Sequence, residues 1–286
     1  MKTYLEIAVS ANEHQRELLI PTFVELGSHG FQETDSHLLC YFDKSSFGQT
    51  EYERLLTDIK ALLQTISANA EIKFREFEEE NWNRQWEQSI QPIEIGTKLA
   101  VKPSWSDYEN SGGRIVLHID PKMSFGTGYH ETTRLVLRLL ESYVSAGQSV
   151  LDIGTGTGIL AVAAIKLGAK NALGIDIDDW SIENARENIT ANGVADKIKI
   201  SNTSLEQIHG TFDLITANIQ LNVIVEMLPI IRILLKDNAI VLLSGLLQEN
   251  RTAIHSALES NRFEIVEETQ ENEWIALAVR KNGSPA

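Results

Sequence analysis

A short apolar run, Ser149-Val150-Leu151-Asp152-Ile153, stops at a glycine-alternating turn, Gly154-Thr155-Gly156-Thr157-Gly158, and a smooth apolar stretch from Ile159 to Ala164 follows at once. Few local patterns leave a chain so little choice. The order predicts a strand, a tight loop and a helix start, the first unit of a doubly wound α/β domain. Glycines at alternate positions remove the Cβ atoms that would hold a ligand off the backbone. The helix N-terminus behind them offers unpaired N–H groups.

The spacing selects the ligand. A dinucleotide fingerprint needs G-x-G-x-x-G, and Ile159 stands where its last glycine would fall. The form present is Asp-x-Gly-x-Gly-x-Gly, led by Asp152. A carboxylate at that strand end would repel a pyrophosphate but could accept hydrogen bonds from an amino acid's ammonium, directly or through water. A second unit follows, Asn171-Ala172-Leu173-Gly174-Ile175-Asp176-Ile177-Asp178. Its Asp176 stands where a carboxylate grips a ribose diol. Together the two units resemble the S-adenosyl-L-methionine site of a Rossmann-like methyltransferase; a glycine turn with acids merely on the surface is the plain alternative.

Strands alternate with helices from Thr132 onward. Helices are expected over Thr133–Ser142, Ile159–Leu167, Ile182–Asn192, Val223–Leu235 and Gln248–Glu259. Strands are expected over Val150–Ile153, Ala172–Asp176, Ile198–Asn202, Phe212–Ala217 and Ala239–Ser244, with a closing pair near Phe263–Glu268 and Trp274–Arg280. Such alternation implies a parallel sheet with helices on both faces. Upstream, a strand at Thr3–Val9, a helix at Glu13–Leu26, strands at Gly30–Glu33 and His37–Asp43, a helix at Glu51–Ile66 and a strand at Glu71–Phe77 follow the βαββαβ order of a ferredoxin-like plait. Trp82 and Trp86, four apart, would share one face of a connecting helix. Short strands near Pro92–Ile95, Leu99–Lys102 and Ile115–Ile119 then lead into the larger domain, with a turn at Gly112-Gly113 between the last two. The chain therefore divides into a ferredoxin-like α+β domain over 1–78, a linker helix over 79–91 and an α/β Rossmann-like domain over 92–286.

Composition excludes several classes. At 286 residues, 43% hydrophobic and 23% charged, the chain has room for two soluble domains. No apolar run is long enough to span a bilayer, and the first residues lack the basic and apolar regions of a signal peptide. Cys40 is the single cysteine, so neither an intrachain disulfide nor a cysteine zinc site can form. No metal is expected, and cytoplasm is the natural compartment. The net charge is −15, of which residues 1–80 carry −8, from 15 Asp/Glu against 7 Lys/Arg. Nucleic-acid binding shows the opposite balance, whereas an acidic surface either steers a basic partner or simply keeps the chain soluble. Tyr41 and Phe42 sit in a strand that plaits use for RNA, but their neighbours lack the basic-glycine-aromatic pattern.

Two further elements converge on the carboxyl ends of the strands. Ser124-Phe125-Gly126-Thr127-Gly128-Tyr129-His130-Glu131-Thr132-Thr133 is a glycine-punctuated loop leading to a helix, with Thr132 or Thr133 placed to cap it or to contact a ligand. Phe212-Asp213-Leu214-Ile215-Thr216-Ala217-Asn218-Ile219 is an apolar strand ending in an amide. These segments, with Asn81-Trp82-Asn83-Arg84-Gln85-Trp86, Lys102-Pro103-Ser104-Trp105 and Glu273-Trp274, resemble the ribosomal protein L11 methyltransferase family over essentially the whole chain. The resemblance implies S-adenosyl-L-methionine as cofactor. It implies methylation of amino groups, lysine side chains and the N-terminal amine, on a large-subunit ribosomal protein recognised by the small N-terminal domain. No direct nucleic-acid or membrane contact is expected.

By motif match, Thr133, Gly154, Asp176 and Asn218 are the implied cofactor contacts. Phe125, Thr127 and His130 of the loop, Asp152, Gly156 and Gly158 of the turn, and Ile177 complete the expected site. Asn218 is the expected catalytic residue, its oxygen available to a nitrogen nucleophile. A sulfonium methyl is already activated, so displacement needs alignment and a neutral amine. No Cys-His or Ser-His-Asp arrangement is needed, and none is found. His130 could take the amine's proton or simply hydrogen-bond within its loop. Asn218 lacks the Pro-Pro-aromatic that follows it in enzymes methylating planar nitrogens, which favours an aliphatic amine. The chain departs from the family at Lys122-Met123-Ser124, at Glu131 where proline is usual, and at Gln220-Leu221-Asn222-Val223, all near the mouth of the site. Another protein, a small molecule or RNA is the alternative acceptor.

Overall fold

Alternation along Tyr4-Leu5-Glu6-Ile7-Ala8-Val9 turns three apolar residues to one side of strand β1 (Thr3–Ser10), and in the computed structural model all three are fully buried. The structure describes residues 3–10, 13–34, 37–44, 47, 52–55, 57, 59, 72–78, 90–120, 122 and 124–283. The chain forms two compact units, Met1–Gln85 and Trp86–Ala286.

In the first unit β2 (Gly30–Glu33), β3 (His37–Asp43), β1 and β4 (Ile72–Glu78) lie side by side in that order, every pairing antiparallel. The register sets Leu5 opposite Phe42, Ile7 opposite Cys40 and Val9 opposite Leu38, so one face of the sheet is apolar. Leu19 and Phe23 of helix α1 (Glu13–Glu25) cluster with that face, together with Leu55 and Ile59. This is the strand order of the plait read from the sequence. Of the second expected helix, residues 52–55, 57 and 59 are described and helical. The linker helix expected over 79–91, with Trp82 and Trp86, lies outside the described residues except for Ile90 and Gln91, which are not helical.

The second unit is built on a seven-stranded sheet. Its order is β10 (Ile198–Ser201), β9 (Asn171–Ile175), β8 (Ser149–Ile153), β11 (Phe212–Asn218), β12 (Leu235–Leu247), β14 (Trp274–Lys281) and β13 (Phe263–Glu271). The first five are parallel to one another, and β14 is antiparallel to both β12 and β13. Alternate residues feed two cores. On β8, Val150 packs with helices α2 (Glu131–Tyr143), α3 (Ile159–Lys166) and α4 (Asp179–Ala191), while Leu151 and Ile153 pack with α5 (Leu221–Leu234) and α6 (Arg251–Ser260). A strand buried on both faces must be apolar throughout, which is why these segments read as runs and not as alternations. β12 starts at Leu235, earlier than the apolar run from Ala239 predicted. The exposed residues Lys236, Asp237 and Asn238 hide its beginning.

Chain order reverses between β8 and β11. From β8 the sheet grows outward through β9 and β10, then restarts on the other side with β11. Connections leave these two strands in opposite directions, so their carboxyl ends open a crevice. A separate three-stranded sheet of β5 (Ile93–Ile95), β6 (Leu99–Lys102) and β7 (Ile115–His118) adds Ile95, Leu99, Val101 and Leu117 to the core under α2 and α3. β7 runs parallel to β6, so the turn at Gly112-Gly113 belongs to a crossover and not to a hairpin. Among the described residues no helix is long and apolar enough to cross a membrane, and no three His, Cys, Asp or Glu gather to hold a metal ion.

Candidate functional site

The crevice is a cavity of about 720 Å³, a size suited to a nucleoside-bearing ligand. Its floor is the glycine turn after β8, where Gly154, Gly156 and Gly158 all have positive φ. The sequence predicts that the missing Cβ atoms make room for a ligand. The structure assigns the space to the protein itself. A Cβ on Gly156 would lie 2.3 Å from the Phe125 carbonyl oxygen, and one on Gly154 would lie 2.5 Å from Ile219 Cγ2. The turn is pared down so that two other loops can close against it; Gly154 and Gly156 nonetheless line the cavity. Gly158 does not line it: it packs against Ala185 as the N-cap of α3.

Asp176, just past the end of β9, points its carboxylate at the turn. One oxygen accepts the Gly156 N–H at 2.9 Å and the other the Asp178 N–H at 3.1 Å. Each oxygen keeps a lone pair for a ligand on the cavity side. Beside it Ile177 is 94% exposed and lines the rim.

Asp152 corrects an expectation. Its carboxylate is fully buried and lies outside the cavity lining, with one oxygen accepting from Thr155 Oγ1 and the other from Thr216 Oγ1, both at 2.6 Å. Burial pushes its carboxyl up to about 6, against the pull of the two hydroxyls, and the nearby Asp176 charge raises it further. It braces the turn from below. The direct hold on an ammonium that its strand-end position predicts is closed off by that burial.

The wall that docks on the turn is the segment 124–130. Thr157 N–H donates to the Phe125 carbonyl at 2.9 Å and Thr157 Oγ1 donates to the Gly126 carbonyl at 2.5 Å. Phe125 and His130 reach the cavity. Thr127 does not; its Oγ1 accepts the Tyr129 N–H at 3.3 Å, and it borders a separate hollow with Ser124, Tyr129 and Glu131. The cap of α2 is His130, where Thr132 or Thr133 was expected. His130 Nδ1 accepts the Thr132 N–H at 3.3 Å and sits 2.9 Å from Thr132 Oγ1. Its Nδ1 is thus engaged within the loop. The ring is also an aromatic wall, 5.3 Å from Phe125 and 4.9 Å edge-on from Trp274.

Asn218 closes the site at the end of β11. Its Nδ2 donates to Thr133 Oγ1 at 3.5 Å, while its Oδ1 is buried and has no partner. Thr133 itself is fully buried and does not line the cavity, so it reaches the site only through Asn218. The structure adds residues the sequence reading missed: Thr203, Ser204, Leu205 and Glu206 after β10, Ser181 on α4, and Trp274 at the start of β14. A signal for the first four was present. β10 is parallel to β9, so its carboxyl end has to open on the same rim. Trp274 comes from an antiparallel strand and had no such pointer.

Comparison with known proteins is consistent across sequence and structure. A family model described as Ribosomal protein L11 methyltransferase (PrmA) matches residues 3–282. A ribosomal protein L11 methyltransferase of Caldicellulosiruptor bescii is 32% identical over 302 aligned positions, covering 97% of this chain and 99% of that protein. One from Chlorobaculum parvum is 36% identical over 281, covering 96% of each. Among solved structures, a ribosomal protein L11 methylase of Lactobacillus delbrueckii subsp. bulgaricus is 35% identical with a TM-score of 0.64, covering 68% of this chain and all of that one.

Proposed function

The chain belongs to the ribosomal protein L11 methyltransferase family, and we propose that it transfers methyl groups from S-adenosyl-L-methionine to amino groups, lysine side chains and the N-terminal amine, of a large-subunit ribosomal protein. The observation that carries this reading is Asn218, which lines the cavity at the switch point of the sheet and whose buried Oδ1 has no hydrogen-bond partner. A buried acceptor without a donor is costly, and an incoming N–H satisfies it. The Asp176 carboxylate, already fixed by the turn, fits the paired hydroxyls of a ribose.

The cofactor supplies an activated methyl on a sulfonium; the chain supplies position and surroundings. Asp176 accepts from the ribose hydroxyls, and Ile177 and Leu205 offer apolar rims for a flat base. Phe125, His130 and Trp274 keep water from the reacting end. A free lysine titrates near 10.4, and desolvation among such walls lowers that value, so that the amine arrives neutral with its proton lost to solvent. Asn218 Oδ1 then accepts one N–H and turns the nitrogen lone pair toward the methyl carbon. A donor held by Asp176 would supply the methyl carbon for the new C–N bond, its sulfur keeping the electron pair of the C–S bond. The methylated ammonium later yields a proton to water.

We further propose that the unit Met1–Gln85 recognises the protein substrate, that the enzyme works in the cytoplasm where ribosomal proteins are assembled, and that it makes no direct contact with nucleic acid or membrane. The net charge of −15 supports a basic protein partner over a polyanion. The test is to incubate the protein with labelled S-adenosyl-L-methionine and an unmethylated ribosomal extract, then to identify the labelled species by mass. Label in a large-subunit protein is expected; label confined to RNA or small molecules sinks the proposal. Asp176→Ala should weaken the donor by about 1.5–3 kcal/mol, the range for a hydrogen bond to a charged group, and calorimetry checks it.

A further inference from the structure

Helix α4 carries asparagines at 184 and 188, and a third, Asn192, caps its end. A spacing of four places all three on one face, and all are buried: 2%, 2% and 8% exposed. Three buried amides on one face call for partners, and each finds at least one on backbone, although Asn184 Oδ1 stays unpaired. Asn192 Oδ1 accepts the His118 N–H at 3.0 Å and its Nδ2 donates to the His118 carbonyl at 2.6 Å, the pair of bonds a neighbouring strand would make along the outer edge of β7. Asn184 Nδ2 donates to the Asp120 carbonyl at 3.2 Å.

The middle rung differs. Asn188 Oδ1 accepts the Asp120 N–H at 2.9 Å, but its Nδ2 turns to the glycine turn and donates to the Thr157 carbonyl at 3.0 Å. Thr157 is the residue whose N–H and hydroxyl hold Phe125 and Gly126. One amide thus ties together the chain at Asp120, the turn under the cavity and, through Thr157, the segment that carries Phe125 and His130. β7, which leads toward that segment, belongs to the small sheet and pairs only with β6, so no strand of the seven-stranded sheet hydrogen-bonds to it.

We propose that Asn188 is a positioning residue for methyl transfer, acting through Thr157 to hold Phe125 and His130 over the cavity. Asn188 touches neither ligand nor reacting atoms and does not line the cavity. Its effect is preorganisation: the wall stands in place before the ligands arrive, so binding need not order it. Asn192 supplies an internal control, since it is the same side chain one turn further on, equally engaged with backbone, with no bond to Thr157.

The inference rests on the reading of this cavity as the donor site. Full-length wild type, Asn188→Ala and Asn192→Ala are compared by calorimetry with S-adenosyl-L-methionine, by single-turnover methylation of the ribosomal protein at saturating donor, and by thermal midpoint. Both variants should lose stability. Only Asn188→Ala should weaken donor affinity and slow the single turnover, each roughly tenfold or more, while Asn192→Ala stays within about twofold of wild type. Equal effects in the two variants, or none in Asn188→Ala, would overturn the proposal. Should Asn188→Ala fail to fold, Thr157→Ala removes the hydroxyl bond to Gly126 without adding a methyl in its place, and wild-type affinity and rate in that variant overturn it as well. Wild type that binds no S-adenosyl-L-methionine would instead sink the reading of the cavity itself.

Discussion

Asp152 lies between two threonine hydroxyls with its carboxyl pushed up to about 6 by burial, against about 3.9 for a free aspartate. Between those values the folded protein holds the proton more tightly than the unfolded chain does. This residue therefore favours the fold below pH 4 and loses that contribution as pH rises through 6, on the order of 2–3 kcal/mol. Other carboxylates oppose the trend: at Glu271, burial is outweighed by Arg134 and Arg138, which hold it below the usual range. The prediction is therefore a difference. Asp152→Asn should gain stability relative to wild type as pH goes from 4 to 7, read from thermal midpoints; a gap that does not change with pH would show the carboxyl to be unperturbed. At the same scale, Asn218→Ala should slow single-turnover methylation about 10- to 100-fold, the equivalent of losing about 1.5–3 kcal/mol in the transition state, with a smaller loss of donor affinity. Asn218→Asp keeps an acceptor and should keep part of the rate. A folded alanine variant with wild-type single turnover would reduce Asn218 to a structural residue.

Among the elements, the turn after β8 shows how one glycine differs from another. Gly147 and Gly156 both have positive φ, 87° and 54°. Nothing lies within 4 Å of where a Gly147 Cβ would be, whereas a Gly156 Cβ meets the Phe125 carbonyl at 2.3 Å. Gly147→Ala should cost only the left-handed backbone, about 1–2 kcal/mol, and leave donor affinity alone. Gly156→Ala adds a collision with the wall of the cavity, so it should lose more stability and weaken the donor as well; equal affinities in the two variants would contradict that wall's docking. Element positions were legible because periodicity is local: most strands and helices begin and end within one or two residues of expectation. The failures are equally physical. Lys236-Asp237-Asn238 are polar and exposed at the start of β12, with Asn238 at a φ of 61°, and the His130 cap went unread because a ring nitrogen accepting from the Thr132 N–H is not signalled by residue type as serine or aspartate is.

For the whole molecule, charge is the property that reaches furthest. Residues 1–80 carry −8 of the total −15, and exposed charge steers a basic partner only within a Debye length, about 8 Å at physiological salt. Raising the salt should therefore raise KM for the ribosomal protein while leaving donor affinity nearly unchanged. A chain beginning at Ile90 should still bind S-adenosyl-L-methionine and lose most turnover on that protein. Undiminished turnover in the truncated enzyme would remove the recognition role from the first unit.

The sequence by itself determined the order of elements, the glycine turn, the two strand-end acids and the terminal amide of β11. Each is written in a run of neighbouring residues, and turn chemistry and periodicity act over such runs. Tertiary structure alone decided what those residues do. Asp152 and Asp176 end consecutive strands of the same kind, yet one is sealed between Thr155 and Thr216 while the other faces the cavity, because Thr216 belongs to a strand 64 residues away in the chain. The space left by Gly156 is filled by Phe125, and the wall that Phe125 forms is held by Asn188. Contacts of that separation depend on which surfaces the folded chain brings together, and no local pattern encodes them.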